Sequence, residues 1–237
     1  MKIIIPIAST DKDIFTEFSE IKPLVKLGNK TMIQKFIENF KFNFDNIFLC
    51  KQQDLIETPL LNVLKNLKIK KKIIEIKKNT SSVIETVNYA KKYLNPNDQV
   101  LICHPDNINF FFSRKKLFSK LKNKNIDGYL FAFDEDSQTN TSETHTGRVI
   151  LNRNKIERIT EKSIKIENSK RLAGIYHFKK WSDYLKYSKK TIENQLPVSG
   201  RFFVSQVYNE YLRDKKKIEI FLIKKHITFG LVPYIKE

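Results

Sequence analysis

Polar and charged side chains that could bind a ligand directly follow four apolar runs of the sequence. In open parallel sheets, ligands bind beyond the carboxyl ends of the strands, so residues at these positions are the first candidates for chemistry. The candidates are the loop over 8–19, Lys51, residues 77–82 and residues 104–109. The lysine-rich composition is compatible with an anionic small ligand, such as a phosphate, at these positions.

The formal net charge of +18 first suggests nucleic acid or a membrane surface as a partner. The excess is nearly all lysine, however, and it accompanies abundant Asn, Ile and Phe, which share AT-rich codons with lysine. The lysines are also scattered in doublets and triplets, which usually end helices or coat solvated faces. We therefore predict no nucleic-acid partner and retain only small anions as ligands.

Several other kinds of chemistry lack their sequence signatures. The chain contains no Gly-x-Ser-x-Gly elbow, no P-loop and no glycine fingerprint of dinucleotide-binding folds. Its four histidines have no metal-ligand spacing among themselves, and Asp134-Glu135-Asp136 is better explained as an exposed acidic loop than as a cation site. Cys50 and Cys103 each end an apolar run, which predicts two buried thiols in a reducing compartment.

The elements that must position the candidates alternate between strands and helices over the first 133 residues. Apolar runs predict strands, and helical spacing of apolar residues predicts helices. The strands are predicted over 2–7, 46–50, 72–76, 99–103 and 127–133, and the helices over 31–40, 55–67, 82–93 and 114–121. This alternation predicts an α/β fold with a mixed, mainly parallel central sheet and helices on both faces.

The pattern changes after residue 133. A polar loop over 134–146 is followed by a predicted hairpin around Asn152-Arg153-Asn154. Strands are predicted over 147–151, 156–160, 171–178, 218–223 and 227–231, and helices over 181–194 and 203–213. No signal peptide and no apolar stretch of the roughly 20 residues that cross a bilayer is found. We therefore predict a cytoplasmic protein with no membrane span, folded as one domain over 1–237.

The chain resembles the sugar-phosphate nucleotidyltransferases at seven places that follow one another in the family's order. The resembling segments are KIIIPIA at the start, IKPLVKLGNKTMI over 21–33, TSSVIETV over 80–87, VLICHPDN over 100–107, residues 147–162 with their final Glu-Lys, AGIY over 173–176 and FFVSQVYNEYL over 202–212. The chain most resembles the shorter branch of capsule and cell-surface saccharide biosynthesis proteins.

The resemblance implies a nucleotide-diphospho-sugar transferase fold, with a nucleotide-side half over 1–133 and a sugar-side half over 134–237. It also implies a reaction in which a sugar phosphate, or a comparable phosphorylated small molecule, attacks the α-phosphate of a nucleoside triphosphate. A nucleotide-sugar and pyrophosphate result. No covalent enzyme intermediate forms, so Mg²⁺ and lysines must position two anions and neutralise their repulsion.

The resemblance further implies roles for individual residues. Lys22 contacts phosphates, Asp106 binds Mg²⁺, and Glu161 and Lys162 bind the sugar hydroxyl and its phosphate. The remaining substrate-binding candidates are Ala8 and Lys12 in the first loop, Thr80 and Ser82 in the base-contacting loop, and Gly147 and Gly174 beside the sugar. Structural alternatives stay open: a solvated lysine at 22, a turn or helix cap at 106, a helix N-cap at 80–82, and turns or close packing at the glycines.

The sequence departs from the family at four places. The first loop, ASTDKDIF over 8–15, carries neither the glycines nor the arginine that bind the triphosphate in catalytic members. Ser82 replaces the glycine of the base loop, and Arg201 replaces a glutamate. The segment over 226–230 contains no carboxylate, although several branches have a second metal-binding aspartate there.

These departures leave three hypotheses. The first is an active nucleotidyltransferase with Mg²⁺. The second is a catalytically degenerate relative that binds a nucleotide-sugar or a protein partner. The third is a glycosyltransferase on the same fold, although Asp106-Asn107-Ile108 has one of the two carboxylates of the usual Asp-x-Asp pair. The sequence leaves the oligomeric state open, a homo-oligomer included.

Overall fold

The structure of the chain is a computed structural model that describes residues 1–8, 20–40, 44–111, 113–134 and 146–229, without the side chain of Arg114. Three features of the sequence therefore lie outside the described residues: residues 9–19 of the first loop, which include Lys12, residues 135–145 of the polar loop, and residues 230–231 of the last predicted strand. In the part of the chain that is described, no helix is both long and apolar enough to cross a membrane.

Strands and helices alternate along the chain. The strands are β1 (Lys2–Ile7), β2 (Lys26–Leu27), β3 (Lys30–Thr31), β4 (Asp45–Lys51), β5 (Lys71–Ile76), β6 (Val100–Cys103), β7 (Asn107–Phe110), β8 (Gly128–Phe133), β9 (Arg148–Asn152), β10 (Lys155–Thr160), β11 (Ser169–Phe178), β12 (Ile218–Leu222) and β13 (Lys225–Thr228). The helices are α1 (Met32–Phe40), α2 (Gln52–Glu57), α3 (Leu60–Asn66), α4 (Val83–Asn88), α5 (Arg114–Leu121), α6 (Trp181–Asn194) and α7 (Val207–Arg213). Short 3₁₀ helices cover Lys22–Leu24, Tyr89–Tyr93 and Val204–Gln206.

Nine of the described strands form one mixed sheet. Its main order is β10-β9-β11-β6-β1-β4-β5, and β8 pairs with both β11 and β12. The section from β6 to β5 is parallel, whereas β11 runs antiparallel to β6, β8 and β9. This arrangement confirms the predicted mixed α/β sheet, and it brings the carboxyl ends of β6, β1, β4 and β5 to one edge.

Apolar side chains pack on both faces of the sheet. Successive residues of a strand point to opposite faces, so the continuous apolar run of β1 places Ile3 and Ile5 in one cluster and Ile4 in the other. Helices α1, α3 and α5 contribute to the first cluster, and α4, α6 and α7 contribute to the second. Helices on both faces are therefore confirmed, and both cysteines are buried free thiols, as predicted.

The hairpin predicted around Asn152-Arg153-Asn154 is present between β9 and β10. Arg153 and Asn154 have φ of 48° and 63°, which is the left-handed backbone that a tight two-residue hairpin turn requires. This turn returns the chain toward Glu161 and therefore determines where the sugar-side candidates lie.

Four of the predicted elements were wrong in detail. The helix predicted over 55–67 is two helices, because Pro59 has no N–H to continue the first one and the Thr58 hydroxyl donates to the Asp54 carbonyl at 2.5 Å. The helix predicted over 203–213 begins as a 3₁₀ turn, and the helix predicted over 82–93 ends as a 3₁₀ helix over Tyr89–Tyr93. The last strand begins at Lys225, two residues earlier than predicted, and ends at Thr228, because these residues pair with β7, a strand that the polar Asn-Ile-Asn sequence did not indicate.

Candidate active site

An ion pair joins two of the predicted catalytic residues. The Lys22 ammonium lies 2.5 Å from Asp106 Oδ2, although 84 residues separate the two in sequence. Lys22 begins a 3₁₀ helix whose next two residues, Pro23 and Leu24, are buried, so its backbone is held against the core. Asp106 follows β6 at the carboxyl edge of the sheet. Both side chains are 21% exposed, which leaves them within reach of a ligand.

Local charge keeps the Asp106 carboxylate ionised. Burial by itself would raise the pKa of Asp106, but the Lys22 ammonium and His104 outweigh burial and lower it below the usual value. Asp106 Oδ1 accepts a hydrogen bond from Asn107 Nδ2 at 2.7 Å, and its backbone carbonyl accepts one from the Phe229 N–H at 2.7 Å. Asp106 therefore lies in a turn into β7, and the helix-cap alternative is wrong.

Gly174 lets β11 approach this turn closely. Its φ of +70° lies in the left-handed region, and a Cβ on it would lie 2.7 Å from Asn107 Nδ2 and 3.3 Å from His104 Cβ. Its carbonyl also accepts a hydrogen bond from the His104 N–H at 2.9 Å. The glycine thus makes room for two residues that surround Asp106, which is the close-packing alternative left open by the sequence.

Glu161 and Gly147 form a second cluster. A Cβ on Gly147 would lie 2.5 Å from Glu161 Oε1, so the glycine is needed for the carboxyl group to occupy this place. The Ser205 hydroxyl donates a hydrogen bond to the same oxygen. Burial raises the pKa of Glu161 to about 7, although the Ser205 hydrogen bond and the Lys162 charge oppose the rise. This carboxyl group therefore exchanges its proton near neutral pH.

Tyr176 lies between the two clusters. Burial raises the pKa of its hydroxyl, and the carboxylates of Glu161 and Asp106 raise it further, whereas a hydrogen bond with Ser205 opposes them. Its ring also makes an edge contact with the His104 ring, with 5.6 Å between the ring centroids. The ion pair and the Glu161 cluster are therefore parts of one site, which extends from β6 across β11 to the end of β10.

No family model matches the chain, and no curated protein matches its sequence. Solved structures do match. A nucleoside-diphosphate-sugar pyrophosphorylase from Vibrio cholerae RC9 is 16% identical, with a TM-score of 0.75 over 100% of both chains. A UDP-glucose pyrophosphorylase complexed with UDP-glucose is 14% identical, with a TM-score of 0.74 over 99% of this chain and 96% of the other. An inositol-1-phosphate CTP transferase from T. maritima is 14% identical, with a TM-score of 0.65 over 93% of this chain and 84% of the other.

The chain has the nucleotide-diphospho-sugar transferase fold. The resemblance seen in the sequence is thereby confirmed for the fold, over nearly the whole chain.

Within this fold, the base-loop candidates are engaged in local structure. The Ser82 hydroxyl is the N-cap of α4 and accepts a hydrogen bond from the Glu85 N–H at 3.3 Å. The hydroxyl oxygens of Thr80 and Thr86 lie 2.6 Å apart, and Thr80 is buried. The N-cap alternative is therefore confirmed for Ser82. A contact of Thr80 or Ser82 with a nucleobase stays a prediction.

The other candidates are placed less tightly. Ala8 is buried directly after β1, and Lys51 is buried at the end of β4. Lys162 is exposed, with φ of 47°, and its ammonium lies 6.0 Å from the centre of the Phe203 ring. The structure thus brings together Lys22 with Asp106 and Glu161 with Gly147. Their predicted roles toward a ligand stay predictions.

Asp106 offers a limited but chemically suitable place for Mg²⁺. Among the described residues, no group of three His, Cys, Asp or Glu side chains could hold a metal ion. Mg²⁺ often keeps several waters and uses one or two carboxylates plus substrate phosphates, so one ionised and partly exposed aspartate fits it. Lys22 would have to leave Oδ2 for the metal to bind there. The segment over 226–230, which lacks the second aspartate that the family resemblance implied, contributes the Phe229 N–H to the Asp106 carbonyl.

Four residues of the site were missed or discounted in the sequence. They are His104, Asn107, Tyr176 and Ser205. Each stands inside a segment that resembles the family, which is the signal that could have identified them. Their types are common in ordinary cores and turns, so only the contacts reveal that they surround the candidate residues.

Proposed function

We propose that this chain is a nucleotidyltransferase that transfers a nucleotidyl group from a nucleoside triphosphate to a sugar phosphate or a similar phosphorylated small molecule. The Lys22–Asp106 ion pair at the carboxyl edge of the sheet carries the proposal. A cation and a carboxylate placed together suit this reaction, because two anions must be brought into contact and their repulsion neutralised. The structural neighbours that are named as pyrophosphorylases support the reaction class.

The environment of each residue supports one role. Lys22 binds phosphate oxygens once its ammonium leaves Asp106, since an ammonium group forms charge-assisted hydrogen bonds with phosphate. Asp106, kept ionised, would hold Mg²⁺ together with the substrate phosphates. When bound, this metal neutralises phosphate charge. Glu161 binds a hydroxyl of the acceptor, because a carboxyl group with a pKa of about 7 donates or accepts a hydrogen bond according to its protonation. Lys162 binds the acceptor phosphate.

A pyrophosphate-release screen tests the proposal. Each common nucleoside triphosphate is combined with Mg²⁺ and with a panel of sugar 1-phosphates and inositol 1-phosphate, and released pyrophosphate is measured. We expect at least one pair to turn over, and the Asp106→Asn variant to be inactive on it. Correctly folded protein that turns over no pair would contradict the proposal.

The second candidate function is a binding protein without catalysis. The observation that favours it is the first loop, whose sequence lacks the glycines and the arginine that bind a triphosphate in catalytic relatives. A ligand that binds only the folded state raises the melting temperature. A thermal shift with UDP-glucose, combined with no shift with any nucleoside triphosphate and Mg²⁺, would favour this second function over the first.

The remaining features of the proposal concern its setting. We infer that the reaction serves capsule or cell-surface saccharide biosynthesis in the cytoplasm, and that 1–237 works as one domain. Residues 1–133 would then form its nucleotide side and residues 134–237 its sugar side. The Glu161 carboxyl group and the two residues around it, Gly147 and Ser205, all belong to the second half. This supports the assignment of the second half as the sugar side.

A further inference from the structure

Lys51 is a buried lysine whose charge is not paired within the described part of the chain. Only 7% of its surface is exposed, and its ammonium group forms no ion pair and no hydrogen bond with any residue that the structure describes. Lysines are almost never buried to this extent unless they are paired, because a buried ammonium group without a partner is costly. Lys22, by contrast, is paired with Asp106. The Lys51 charge therefore calls for an anion that the described residues do not supply.

The charged end of the Lys51 side chain is accessible to a ligand. Its ammonium nitrogen is not one of the enclosed side-chain atoms that lack a hydrogen bond, so the buried part of the side chain is its hydrocarbon stem. Lysines commonly bury this stem against apolar neighbours and keep the charge at the surface. An anion can thus reach the Lys51 charge without a rearrangement of the core.

Lys51 lies at the edge of the sheet where ligands of such folds bind. It ends β4, which lies between β1 and β5 in the parallel section of the sheet. Side chains alternate between the faces of a strand, so Lys51 shares a face with its register partner Ile76 and with Ala8, which begins the first loop. Helix α4, whose N-cap is the base-loop candidate Ser82, packs on the same face. Lys51 is therefore flanked by the start of the first loop and by the base loop.

The order of the strands indicates which ligand can reach Lys51. β4 lies two strands from β6, which precedes Asp106, and five strands from β10, which precedes Glu161. At the usual spacing of neighbouring strands, these separations are roughly 10 Å and 24 Å. A nucleoside triphosphate is long enough to extend from Asp106 to Lys51. An acceptor held at Glu161 is too distant.

The reaction that we propose for the chain also determines the direction of the triphosphate. The acceptor oxygen attacks the α-phosphate while pyrophosphate leaves on the opposite side, because the attacking and leaving oxygens lie roughly in line. Glu161, the acceptor candidate, lies on the β11 and β10 side of Asp106. The two leaving phosphates would then extend toward the opposite side of Asp106, where β1 and β4 end and where Lys51 lies.

We propose that Lys51 binds the two outer phosphates of the nucleoside triphosphate and replaces the arginine that is missing from the first loop. This inference rests on the proposed function, because it takes a nucleoside triphosphate as the ligand. The single cation of the first loop, Lys12, stands between Asp11 and Asp13 in the sequence, so that loop brings no net positive charge to a triphosphate. An ammonium group forms charge-assisted hydrogen bonds with phosphate and acts as a point charge, so it can serve from the end of β4.

The test removes the charge of Lys51 and keeps its stem. Lys51→Met leaves an unbranched apolar side chain in the buried position, whereas Lys51→Arg keeps the charge. Lys65→Met is the matched control, because Lys65 is an exposed lysine of α3 and its removal changes the net charge equally. Calorimetry in the presence of Mg²⁺ measures binding of ATP, CTP, GTP, UTP and dTTP, of the corresponding monophosphates, and of glucose 1-phosphate.

We expect Lys51→Met to weaken the tightest-binding triphosphate at least about tenfold and to leave its monophosphate and glucose 1-phosphate unchanged. Lys51→Arg should retain most of the triphosphate affinity, and Lys65→Met should retain all of it. Unchanged triphosphate affinity in Lys51→Met, or equal weakening of triphosphate and monophosphate, would overturn this inference and leave the proposed function standing. Binding of no triphosphate to the unaltered protein would overturn both.

Thermal unfolding of the ligand-free variant is the second measurement. An unpaired buried charge opposes folding, so Lys51→Met should melt at the same temperature as the unaltered protein or at a higher one. A variant that melts at a lower temperature, or that does not fold, would show that the protein itself pairs the Lys51 charge. Either result would overturn the inference without any ligand.

Discussion

At the scale of single residues, the candidate site depends on the charge balance around Asp106. Its carboxylate is partly buried, which favours the protonated form, yet the Lys22 ammonium at 2.5 Å keeps it ionised. The two side chains satisfy each other in the free protein. Under the proposed function, a phosphorylated ligand with Mg²⁺ would offer each of them another partner, because phosphate attracts an ammonium group and the metal attracts a carboxylate. The ion pair would then be a resting arrangement that the ligand replaces.

The first prediction concerns Asp106→Asn, which removes the charge and keeps the size. We expect the free energy of unfolding to change by about 1 kcal/mol or less, because Asn keeps the size of the side chain and its carbonyl oxygen can still accept the Asn107 hydrogen bond. We expect Mg²⁺-dependent ligand binding and turnover to be lost. Urea unfolding and calorimetry with and without Mg²⁺ measure the two effects.

Asp45→Asn is the matched control for this prediction. Asp45 is also a partly exposed carboxylate paired with lysines, Lys2 and Lys70, but it lies at the amino end of β4. It should leave ligand binding unchanged. An Asp106→Asn variant that is unfolded would show that Asp106 serves the turn alone. A folded variant whose ligand binding still depends on Mg²⁺ would place the metal elsewhere.

The second prediction concerns Lys22→Gln. Removal of the ammonium leaves burial as the larger influence on Asp106, so the pKa of Asp106 should rise above its value in the unaltered protein. NMR titration of the carboxyl carbons measures this rise, and affinity for phosphorylated ligands should fall in the same variant. Lys30→Gln, which removes a lysine paired with the exposed Glu38, should change neither quantity. An unchanged Asp106 titration in Lys22→Gln would show that the pair does not persist in solution.

At the scale of elements, the site depends on the irregular part of β11. The pairing of β11 with β8 shifts register between Leu172 and Tyr176, and Gly174 lies within that shift with left-handed backbone. The bend lets the strand carry Gly174 toward Asn107 and Tyr176 toward Glu161. A regular strand would not bring both clusters into one site.

The third prediction compares Gly174→Ala with Gly200→Ala. Both glycines have left-handed backbone, with φ of +70° and +73°, but a Cβ meets no atom within 4 Å at Gly200. At Gly174 it would meet the Asn107 amide, which is held by Asp106 and cannot move without breaking that hydrogen bond. We expect Gly200→Ala to cost about 1 kcal/mol of backbone strain, and Gly174→Ala to cost roughly 1–2 kcal/mol more.

Chemical unfolding measures both costs, and calorimetry measures binding by the folded variants. Ligand binding should survive Gly200→Ala and weaken in Gly174→Ala. Equal stability of the two variants would mean that Asn107 relaxes freely and that Gly174 does not hold the site together.

At the scale of the whole molecule, buried histidines make stability depend on pH. Burial lowers the pKa of His177 to about 3, with the Lys179 charge adding to the effect, and burial likewise lowers the pKa of His226 to about 3. The ordinary value is 6.5, so below that pH the unfolded chain binds protons that the native protein does not. Stability is therefore lost as the pH falls from about 6.5 toward 3.

Glu161 acts in the opposite direction. Its pKa of about 7 lies above the ordinary 4.5, so between these values the native protein holds a proton that the unfolded chain has lost. Its contribution to the stability of the folded protein thus increases as the pH falls through that window, and it offsets part of the loss caused by the histidines. The two buried imidazoles lower the free energy of unfolding on acidification by more than the one carboxyl group raises it. The net result is a loss of stability as the pH falls.

The fourth prediction is that His177→Phe reduces this acid sensitivity. Urea unfolding at pH 7 and pH 4.5 should show that the variant loses roughly 2–3 kcal/mol less than the unaltered protein between the two values. Phe occupies the buried position of the imidazole and has no group that can be protonated. Among the described residues, the His177 ring makes no hydrogen bond that the substitution would remove. The same pH-dependent loss in both proteins would show that His177 takes up its proton in the folded state.

The sequence was sufficient for the large elements of the fold. The strands β1, β4 and β6 are buried on both faces of the sheet, and a strand in that environment requires a continuous run of apolar residues. Such a run is visible in the sequence without knowledge of the neighbouring strands. Short elements were less predictable. The polar strand β7 exists because β13 pairs with it, and no local preference of Asn-Ile-Asn indicates a strand.

For the site, the sequence by itself determined that Lys22, Asp106, Glu161 and Gly174 are candidates, because their segments resemble one family in order. Only the tertiary structure decided that Lys22 reaches Asp106 across 84 residues, and that Tyr176 connects this pair with Glu161. It also decided that Gly174 makes room for Asn107 and that, among the described residues, the buried Nε2 of His104 has no hydrogen-bond partner. The physical reason is that motifs are local in sequence, whereas hydrogen bonds, charge and burial act between atoms that only folding brings together.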